Sequence, residues 1–527
     1  MKKAVSIALL VFLLLPFASC TAGPEETGAD VTETVTQTET ASGWTGPADT
    51  EDKGLSEDGK RYYFSAEGDD KNDGTTPQSA KKSLSVMDGL TLCPGDRVLL
   101  RRGDTWHERL VLRGRGDADG WIYIGAYGEG DEMPRISLDN GRDDIAVLCE
   151  DAENGLGYMW FDGISVGDTH LGIYLRANGV HDDGHIRITG CEFFNVNCPE
   201  LMAEAMTSVG WLGEKKGGLS GNGGVYEYIW PTAINVGGRP ALPLASVSVD
   251  GVCAPSTVLS CVEISDCRFD GCVIAVGANC YSYHYGTGAN QFMEYTANWS
   301  MKNVVCRGTM TALNFDSCDF GYEGEGSEWG VFENIDYDDG MSSQSMAFGT
   351  TAALLSSCRD LYIKNSRFCG CRNGGSPDGC GFDLERDDHN ITLDGCIIAD
   401  NDGQGVLIMD TVMLDQVSGE NVHTPSTDCT IKNCVFLGNM KNVYNENYCF
   451  DILVFNRENE RITVSGCDFY CTEKTHGAAQ VRINRRGSKQ SPVGQIVRGV
   501  TVEDCTVRVY ENREKLPSLE EITGDRG

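Results

Sequence analysis

The sequence predicts an all-β solenoid, in which short strands wind into stacked coils along a chain of 527 residues. The first observation is a repeat that joins a strand, a polar or glycine position, a cysteine or serine, and a second short strand. The second is the alternation of apolar and polar residues between turns rich in Gly, Asn and Asp. The third is the lack of any long helical pattern, so a single repeat cannot bury its apolar face unless neighbours stack on it. The repeats occupy residues 186–196, 262–272, 313–323, 361–371, 391–401, 429–439, 462–472 and 500–510.

The 23 cysteines fit this repeat better than they fit a disulfide framework. One position of each repeat holds a cysteine or serine, which predicts a buried ladder of small, soft side chains between two strands. Neighbouring rungs lie about 4.8 Å apart with parallel Cβ vectors, so the torsion of a disulfide is difficult to reach and we predict reduced thiols. Cys369, Cys371 and Cys380 lack a CxxC pair or a histidine partner, so no metal site is predicted there. The repeat positions are Cys191, Cys267, Cys318, Ser366, Cys396, Cys434, Cys467 and Cys505.

The first residues indicate export. Lys2 and Lys3 precede an apolar run, and small residues lead to Cys20, which together are typical of a cleaved signal. The end of the run, FASC, resembles a bacterial lipobox, although Phe17 stands where Leu is usual. The resemblance implies a signal peptide over 1–20, a lipid on Cys20 and anchoring to the outer face of a bacterial membrane. Simple secretion is the alternative.

Composition divides the rest of the chain. Residues 21–60 are acidic and rich in threonine with few large apolar residues, which predicts a disordered tether. The solenoid is predicted over 61–512, with a loop insertion at about 199–260 where the repeat fails, and residues 513–527 form a C-terminal tail. The chain is predicted to be monomeric.

The repeats resemble those of right-handed parallel β-helix proteins, the pectin-lyase-like architecture. The opening stretch, from YYFSAEGDDKNDGTTPQS to RGDTWHERLVLRGRG at 62–116, resembles the first segment of extracellular β-helix carbohydrate enzymes. The resemblance implies a single-stranded right-handed parallel β-helix with long inserted loops and a carbohydrate-active function. Leu84, Met87 and Leu90 have near-helical spacing within 79–92, which predicts a short helix capping the open end of the solenoid.

The stretch GFDLERDDHN at 381–390 carries the candidate catalytic residues. Alternation along FDLER sends Phe382 and Leu384 inward and places Asp383 and Glu385 together on the outer face. The following strand, VLIMD at 406–410, adds Asp410 beside Glu385 if Leu407 and Met409 point inward. Backbones about 4.8 Å apart would then give the short carboxyl separation of a retaining glycosidase. A shift of one residue in register would instead turn Asp410 inward.

Residues 379–410 resemble a segment of β-helix glycoside hydrolases, with an acidic strand, an Asn/Asp-Gly turn and an apolar strand. We therefore predict Asp383 as nucleophile or base, with Glu385 or Asp410 as the proton donor. The segment WGVFENIDYDDG at 329–340 supplies four secondary acidic candidates. These are Glu333, Asp336, Asp338 and Asp339.

Substrate-binding residues are predicted from side-chain chemistry. Arg386 follows the two acids directly, and Tyr226, Tyr228 and Trp230 offer flat ring faces on which sugars can stack. Packing beneath long loops is the alternative for each aromatic residue.

Three functions follow from these patterns, because a fold alone does not fix one. The preferred function is a glycoside hydrolase acting on a polysaccharide or oligosaccharide, with no cofactor. A polysaccharide lyase is the alternative, in which Arg386 would be the base and Asp387 and Asp388 would help to bind Ca²⁺. The formal net charge of −35 disfavours polyanionic substrates and nucleic acids. The third function is a non-catalytic surface protein that binds glycans or acts as an adhesive rod.

Overall fold

The described part of the chain covers most of the predicted solenoid. The computed structural model describes residues 55–142, 144–151, 153–176, 183–200, 202, 231–237, 248–249, 252–253, 259–279, 298–316, 318, 320, 330–338, 351–373, 379–414, 421–442, 450–455, 459–472, 484–486 and 499–524. The predicted lipidation site Cys20, the tether as far as residue 54, and the aromatic residues Tyr226, Tyr228 and Trp230 lie outside these ranges.

The described elements are almost all strands. In chain order they are β1 (Arg61–Phe64), β2 (Arg97–Arg101), β3 (Thr105–Trp106), β4 (Leu110–Leu112), β5 (Ile122–Tyr127), β6 (Arg135–Ser137), β7 (Ile145–Glu150), β8 (Gly157–Asp162), β9 (Ser165–Thr169), β10 (Leu171–Arg176), β11 (Asp183–Thr189), β12 (Glu192–Val196), β13 (Thr232–Gly237), β14 (Ser248–Val249), β15 (Val252–Cys253), β16 (Leu259–Ser265), β17 (Arg268–Asp270), β18 (Ile274–Asn279), β19 (Ser300–Arg307), β20 (Thr311–Asp316), β21 (Gly330–Asp338), β22 (Ala353–Ser356), β23 (Arg359–Lys364), β24 (Arg367–Cys369), β25 (Phe382–Leu384), β26 (His389–Asp394), β27 (Ile397–Ala399), β28 (Val406–Ile408), β29 (Asp410–Leu414), β30 (Asn421–Pro425), β31 (Thr430–Lys432), β32 (Val435–Leu437), β33 (Ile452–Phe455), β34 (Ile462–Ser465), β35 (Asp468–Thr472), β36 (Asn484–Arg486), β37 (Val500–Glu503) and β38 (Thr506–Tyr510). Short 3₁₀ helices span Pro77–Ser79, Leu84–Gly89 and Arg513–Lys515, and an α-helix spans Leu519–Thr523.

Two large parallel sheets form the solenoid wall. We call the 23-stranded sheet, which runs as two rows of strands, sheet I, and the 11-stranded sheet sheet II. A typical coil passes from β25 in sheet II to β26 and then β27 in sheet I, and returns to sheet II at β28. Parallel strands joined by such crossovers wind right-handed. The fold is therefore the right-handed parallel β-helix that the repeats predict.

The polar or glycine position of the repeat is a left-handed turn between the two rows of sheet I. Asn365, Gly395, Asn433 and Gly466 occupy this turn with φ of 50°, 63°, 54° and 61°. Glycine and asparagine tolerate that backbone conformation, whereas most other residues are strained in it. The next residue of the repeat then turns into the core.

In most coils that next residue is the predicted cysteine or serine. The prediction is wrong for Cys318, because β20 lies in sheet II, and Val304 and Ile335 hold the ladder position between Cys267 and Ser366. Cys396, Cys434 and Cys467 are buried, and each thiol lies within hydrogen-bond distance of a carbonyl oxygen in the preceding coil, 3.7, 3.7 and 3.6 Å away. The ladder cysteines, among them Cys396, Cys434 and Cys467, are free thiols. Burial raises the pKa of Cys272, Cys369 and Cys371, each to about 12. The ladder is a packing device, because burial keeps its side chains away from solvent and places them against the neighbouring coils.

Helices lie at both ends of the chain. The predicted cap is present as the 3₁₀ helix Leu84–Gly89, whose Leu84 and Met87 are buried against the solenoid core and which contacts β4, the edge strand of sheet II. In the predicted tail, Leu516, Leu519 and Ile522 pack against a small apolar cluster that contains Leu437. The tail therefore lies along the solenoid wall.

The segment predicted as a loop insertion contains one rung of the solenoid. Strand β13 lies between β10 and β18 in sheet II, with Ile234 paired to Ile173 and to Val276. The repeat pattern fails around it because β13 belongs to sheet II, whereas the repeat describes the paired strands of sheet I.

The buried ladder predicts strongly unequal thiol reactivity. In the folded protein, maleimide should modify the exposed Cys93 first, whereas Cys396, Cys434 and Cys467 should react only after denaturation, because their burial blocks access of the reagent. Peptide mass spectrometry reads each site, and Cys93→Ser is the control that should remove the fast label. Disulfide-linked peptides from the ladder, or rapid labelling of Cys434, would contradict this packing.

Candidate active site

The candidate acids lie at the end of β25 in sheet II. Phe382 and Leu384 point into the core, so Asp383 points to the outer face. The N–H of Glu385 donates to the carbonyl oxygen of Leu355 at 2.8 Å, which continues the strand pairing by one residue and places Glu385 on the same face as Asp383. Asp383 is only 4% exposed, whereas Glu385 is partly exposed. The two acids therefore share a face and differ in their contact with solvent.

The expected register of the next coil is wrong by one residue. Phe382 pairs with Val406 and Asp383 with Leu407, so Val406 and Ile408 point inward and Leu407 points outward. The prediction had Leu407 and Met409 inward, which was needed to bring Asp410 beside Glu385. Both registers leave two apolar residues inside, and a period of two cannot distinguish them.

Asp410 is a buried anchor of a hairpin. It starts β29, which leaves the solenoid and pairs antiparallel with β30, and its carboxylate is completely buried. Its Oδ2 lies 2.8 Å and its Oδ1 3.1 Å from Nδ1 of His423, whose side chain is 45% exposed. Asp410 is therefore placed to orient His423, and it does not share the outer face with Glu385.

The two aspartates after Arg386 have structural partners. The carboxylate of Asp388 is fully buried and accepts hydrogen bonds from the backbone N–H groups of Cys358 at 2.9 Å and of Arg386 at 3.3 Å. Asp387 lies 3.0 Å from Nε2 of His389. Burial, with a smaller contribution from Asp387, raises the pKa of Asp388 well above its usual range. Asp388 therefore cannot serve as an exposed calcium ligand.

Sequence reasoning missed a second polar strand on this face. In β20, Phe315 is buried in the core, so the neighbouring positions 314 and 316 lie on the outer face. The order Asn314, Phe315, Asp316 repeats the pattern of Asp383, Leu384, Glu385. That shared pattern is the signal that could have identified this strand.

The register aligns the two polar strands across one intervening strand. Asn314 pairs with Leu354 and Leu354 with Asp383, while the Asp316 position pairs with Ser356. Strands two places apart are separated by about 9.6 Å. The outer face of sheet II therefore has two polar strands on either side of Leu354, and this arrangement defines the candidate site.

The secondary catalytic candidates that the structure describes lie on sheet I and form ion pairs with basic side chains of neighbouring strands. Glu333 lies 3.2 Å from Lys364, and Asp338 lies 2.5 Å from Arg367. Asp336 pairs with Arg307 and lies 3.6 Å from Arg367. The fourth candidate, Asp339, lies outside the described residues. These three acids stabilise neighbouring strands and are distant in the fold from sheet II.

The residues that the structure describes were compared with two further kinds of feature, a metal site and a membrane-spanning helix. Within them no group of His, Cys, Asp and Glu side chains is arranged to hold a metal ion. None of the helices described there has the length and apolar character needed to cross a bilayer.

Comparison with known proteins gives one sequence similarity. The chain is 39% identical over 88 residues to a lacto-N-biosidase of Bifidobacterium longum subsp. longum, and the match spans 16% of this chain and 6% of that protein. No protein-family model matches the chain.

Three solved structures resemble this chain in overall course. A GH136 lacto-N-biosidase from Eubacterium ramulus is 14% identical, with 86% of this chain and 68% of that chain covered and a TM-score of 0.49. A rhamnogalacturonan lyase is 13% identical, with 78% and 87% covered and a TM-score of 0.42. The pectate lyase Pel9A is 13% identical, with 89% and 83% covered and a TM-score of 0.36. TM-scores below 0.5 carry no information about the site, so the fold assignment rests on the sheet topology.

The buried carboxyl of Asp388 predicts a pH-dependent stability. The pKa of Asp388 is higher in the folded state than in the unfolded state, so the folded state holds this proton more tightly. The contribution of Asp388 to stability is complete below the unfolded-state pKa of about 4. It is lost as the pH rises through the folded-state pKa. Urea unfolding between pH 4 and pH 8 should therefore show a fall in stability that is reduced in Asp388→Asn. The control Asp88→Asn removes the same charge from an exposed position and should keep the wild-type profile. Parallel profiles for the wild type and Asp388→Asn would contradict this environment.

Proposed function

We propose that this protein is an exported glycoside hydrolase whose reaction is carried out by carboxylates on the outer face of sheet II. The observation that carries the proposal is the pair of polar strands, with Asn314 and Asp316 on one and Asp383 and Glu385 on the other, aligned across Leu354. The short match to a lacto-N-biosidase supports an oligosaccharide or polysaccharide as substrate.

Glycoside cleavage needs two carboxyl groups with different roles. One protonates the departing oxygen, and the other acts as a nucleophile or activates water. Asp383 is the nucleophile or base in this proposal, and the more exposed Glu385 is the proton donor. Residues two apart in one strand have Cα atoms about 6.6 Å apart, which allows carboxyl separations within the range that glycosidases use.

The neighbouring polar strand adds a second acid. The Asp316 position lies one intervening strand from Glu385, so a sugar bound across Leu354 and Ser356 would contact both strands. Asn314 is partly exposed and can donate and accept hydrogen bonds with sugar hydroxyls. Position 316, which holds an aspartate, is therefore the further acid that we propose to test in place of Asp410.

Elimination has weaker support at this face. A lyase needs a basic residue and usually a cation that neutralises the uronate carboxylate. Arg386 is partly exposed beside the acids, but Asp388 is sealed against backbone N–H groups and is lost as a calcium ligand. Neutral or weakly charged glycans therefore suit this face best.

The protein is exported and lipid-anchored in this proposal. The basic start, apolar run and Cys20 support a signal peptide and a lipid anchor on the outer face of a bacterial membrane. Such an anchor would hold the solenoid near extracellular glycans.

Asp383→Asn and Glu385→Gln should each lower kcat by roughly a hundred- to ten-thousand-fold, because each variant removes an ionisable group from the reaction. The assay incubates the purified protein with a glycan panel and follows new reducing ends together with the ultraviolet absorbance of unsaturated uronates. Glu333→Gln, an acid on sheet I, is the matched control and should keep wild-type activity. Full activity in both site variants would remove the proposed pair, and growth of the ultraviolet absorbance would indicate elimination.

The variants Asp316→Asn and Asp410→Asn test which of these two aspartates is the additional catalytic acid. We expect Asp316→Asn to lower kcat at least tenfold, because its position faces the candidate site. Asp410→Asn should lower the thermal midpoint, because it weakens the contact with His423, while kcat of the protein that remains folded changes less. The reverse order of the two kcat values would restore Asp410 to the catalytic group.

A further inference from the structure

A concave site lies on the outer face of sheet I, at the N-terminal end of the solenoid. It is a cavity of about 720 Å³ between the outward residues of β1, β2 and β5. Arginines and tyrosines dominate its wall, in a protein with a net charge of −35. The residues that carry the argument are Arg61, Arg97, Arg101, Arg102, Tyr123 and Tyr127.

The register of the first coils explains why basic and aromatic side chains meet here. Arg61 pairs with Arg97, Arg97 with Tyr123, and Arg101 with Tyr127. The alternate residues Val98 and Leu100 of β2 are buried in the core. The outward positions of three successive strands therefore form one continuous wall.

Two of the arginines already bind a carboxylate. The side chain of Glu57 is 80% exposed and lies 2.6 Å from Arg61 and 3.6 Å from Arg97. Arg97 also donates to the carbonyl oxygen of Ser56 at 2.6 Å. The chain thus shows that a carboxylate fits between these two guanidinium groups.

The other two arginines differ in their partners. Arg101 pairs with Glu67 at 2.8 Å and with Asp104 at 3.2 Å. The guanidinium of Arg102 forms no ion pair or hydrogen bond with any residue in the described ranges, although its backbone N–H donates to Tyr127 at 2.9 Å. Its positive charge is therefore available to a ligand.

Tyr127 supplies an unsatisfied polar group in the same wall. Its hydroxyl is buried and has no hydrogen-bond partner among the described residues, and its ring meets that of Tyr63 edge to face at 5.0 Å. Burial raises the pKa of Tyr127 to about 12, so the hydroxyl is a neutral donor at physiological pH. A buried hydroxyl without a partner is unfavourable, and a ligand oxygen would satisfy it.

Tyr123 closes one side of the cavity. Its hydroxyl donates to Asp162 at 2.7 Å, and its ring lies over Gly125, where an added Cβ would be 2.4 Å from the tyrosine oxygen. Glycine at position 125 therefore lets the ring lie flat along the strand. Tyr123 is itself buried, so Tyr63 and Tyr127 are the partly exposed tyrosines beside the guanidinium donors.

We propose that this cavity binds a sugar that carries a carboxylate, as in a hexuronic acid. Guanidinium groups recognise carboxylates through paired, charge-assisted hydrogen bonds, and tyrosine rings suit the C–H faces of a pyranose. Arg102 and the hydroxyl of Tyr127 hold the carboxylate end of the sugar. This site is separate from the acids of sheet II and holds an acidic unit of a glycan without cleaving it.

Isothermal titration of the folded protein with glucuronate, glucose and acetate at low salt tests the proposal. Glucuronate should bind at least tenfold more tightly than glucose or acetate, because it alone offers both the anion and the ring. Arg102→Gln should weaken glucuronate binding at least about tenfold, and Tyr127→Phe severalfold, with unchanged thermal midpoints. Glu57→Gln should strengthen binding, because it removes a competing carboxylate from Arg61 and Arg97.

Controls separate this site from general charge effects and from the hydrolase. Arg268→Gln removes one partly exposed arginine elsewhere on sheet I and should leave glucuronate binding unchanged. Asp383→Asn should also bind glucuronate normally, so loss of hydrolysis and loss of this site are distinguishable. Equal binding of acetate and glucuronate, tighter binding of glucose 6-sulfate than of glucuronate, or full binding by Arg102→Gln would each overturn the proposal.

Discussion

The parallel register between coils is the constraint on which the rest of the structure depends. Each strand sits about 4.8 Å from its neighbour, so inward residues must stack on inward residues along the whole wall. Phe382, Val406 and Ile452 form such a column in sheet II. Once this column is fixed, Asp383 must lie beside Leu407. The packing of the inward residues therefore decides which side chains meet on the outer face.

Buried polar groups at the turns obey the same stacking. Cys358 donates its backbone N–H to Asp388, Asp388 donates its own to Ser426, and Ser426 donates its own to Asn459, at 2.9, 3.2 and 2.7 Å. Each coil thus satisfies a backbone group of the coil before it, which a buried turn requires. Acids that are neighbours in sequence therefore separate into different roles, because Asp388 is needed inside the turn while Glu385 remains at the surface.

The sequence was sufficient for the fold because most repeats share one local pattern: a left-handed turn at a residue such as Asn433, followed by a buried residue such as Cys434. It was insufficient for the site, because alternation with a period of two has no information on which of two adjacent residues faces inward. Leu407 shows this directly, since an apolar residue occupies an outward position. The hairpin that begins at Asp410 also left no pattern in the repeat. Asn314 was overlooked because residues 313–323 were assigned to the repeat of sheet I, whereas β20 lies in sheet II.

The two proposed sites also show why net charge is a weak guide to ligand charge in an elongated protein. At physiological ionic strength charges are screened beyond about 8 Å, so a ligand near Arg102 interacts mainly with the first coils. Around that cavity Glu57 pairs with Arg61 and Arg97, and Glu67 and Asp104 pair with Arg101, so Arg102 supplies the positive charge that a ligand meets despite the total of −35. A solenoid extends its length without bringing distant coils together, so an acid-rich site and an arginine-rich site can coexist on one chain. Each would then select its own part of a glycan that contains both neutral and acidic sugars.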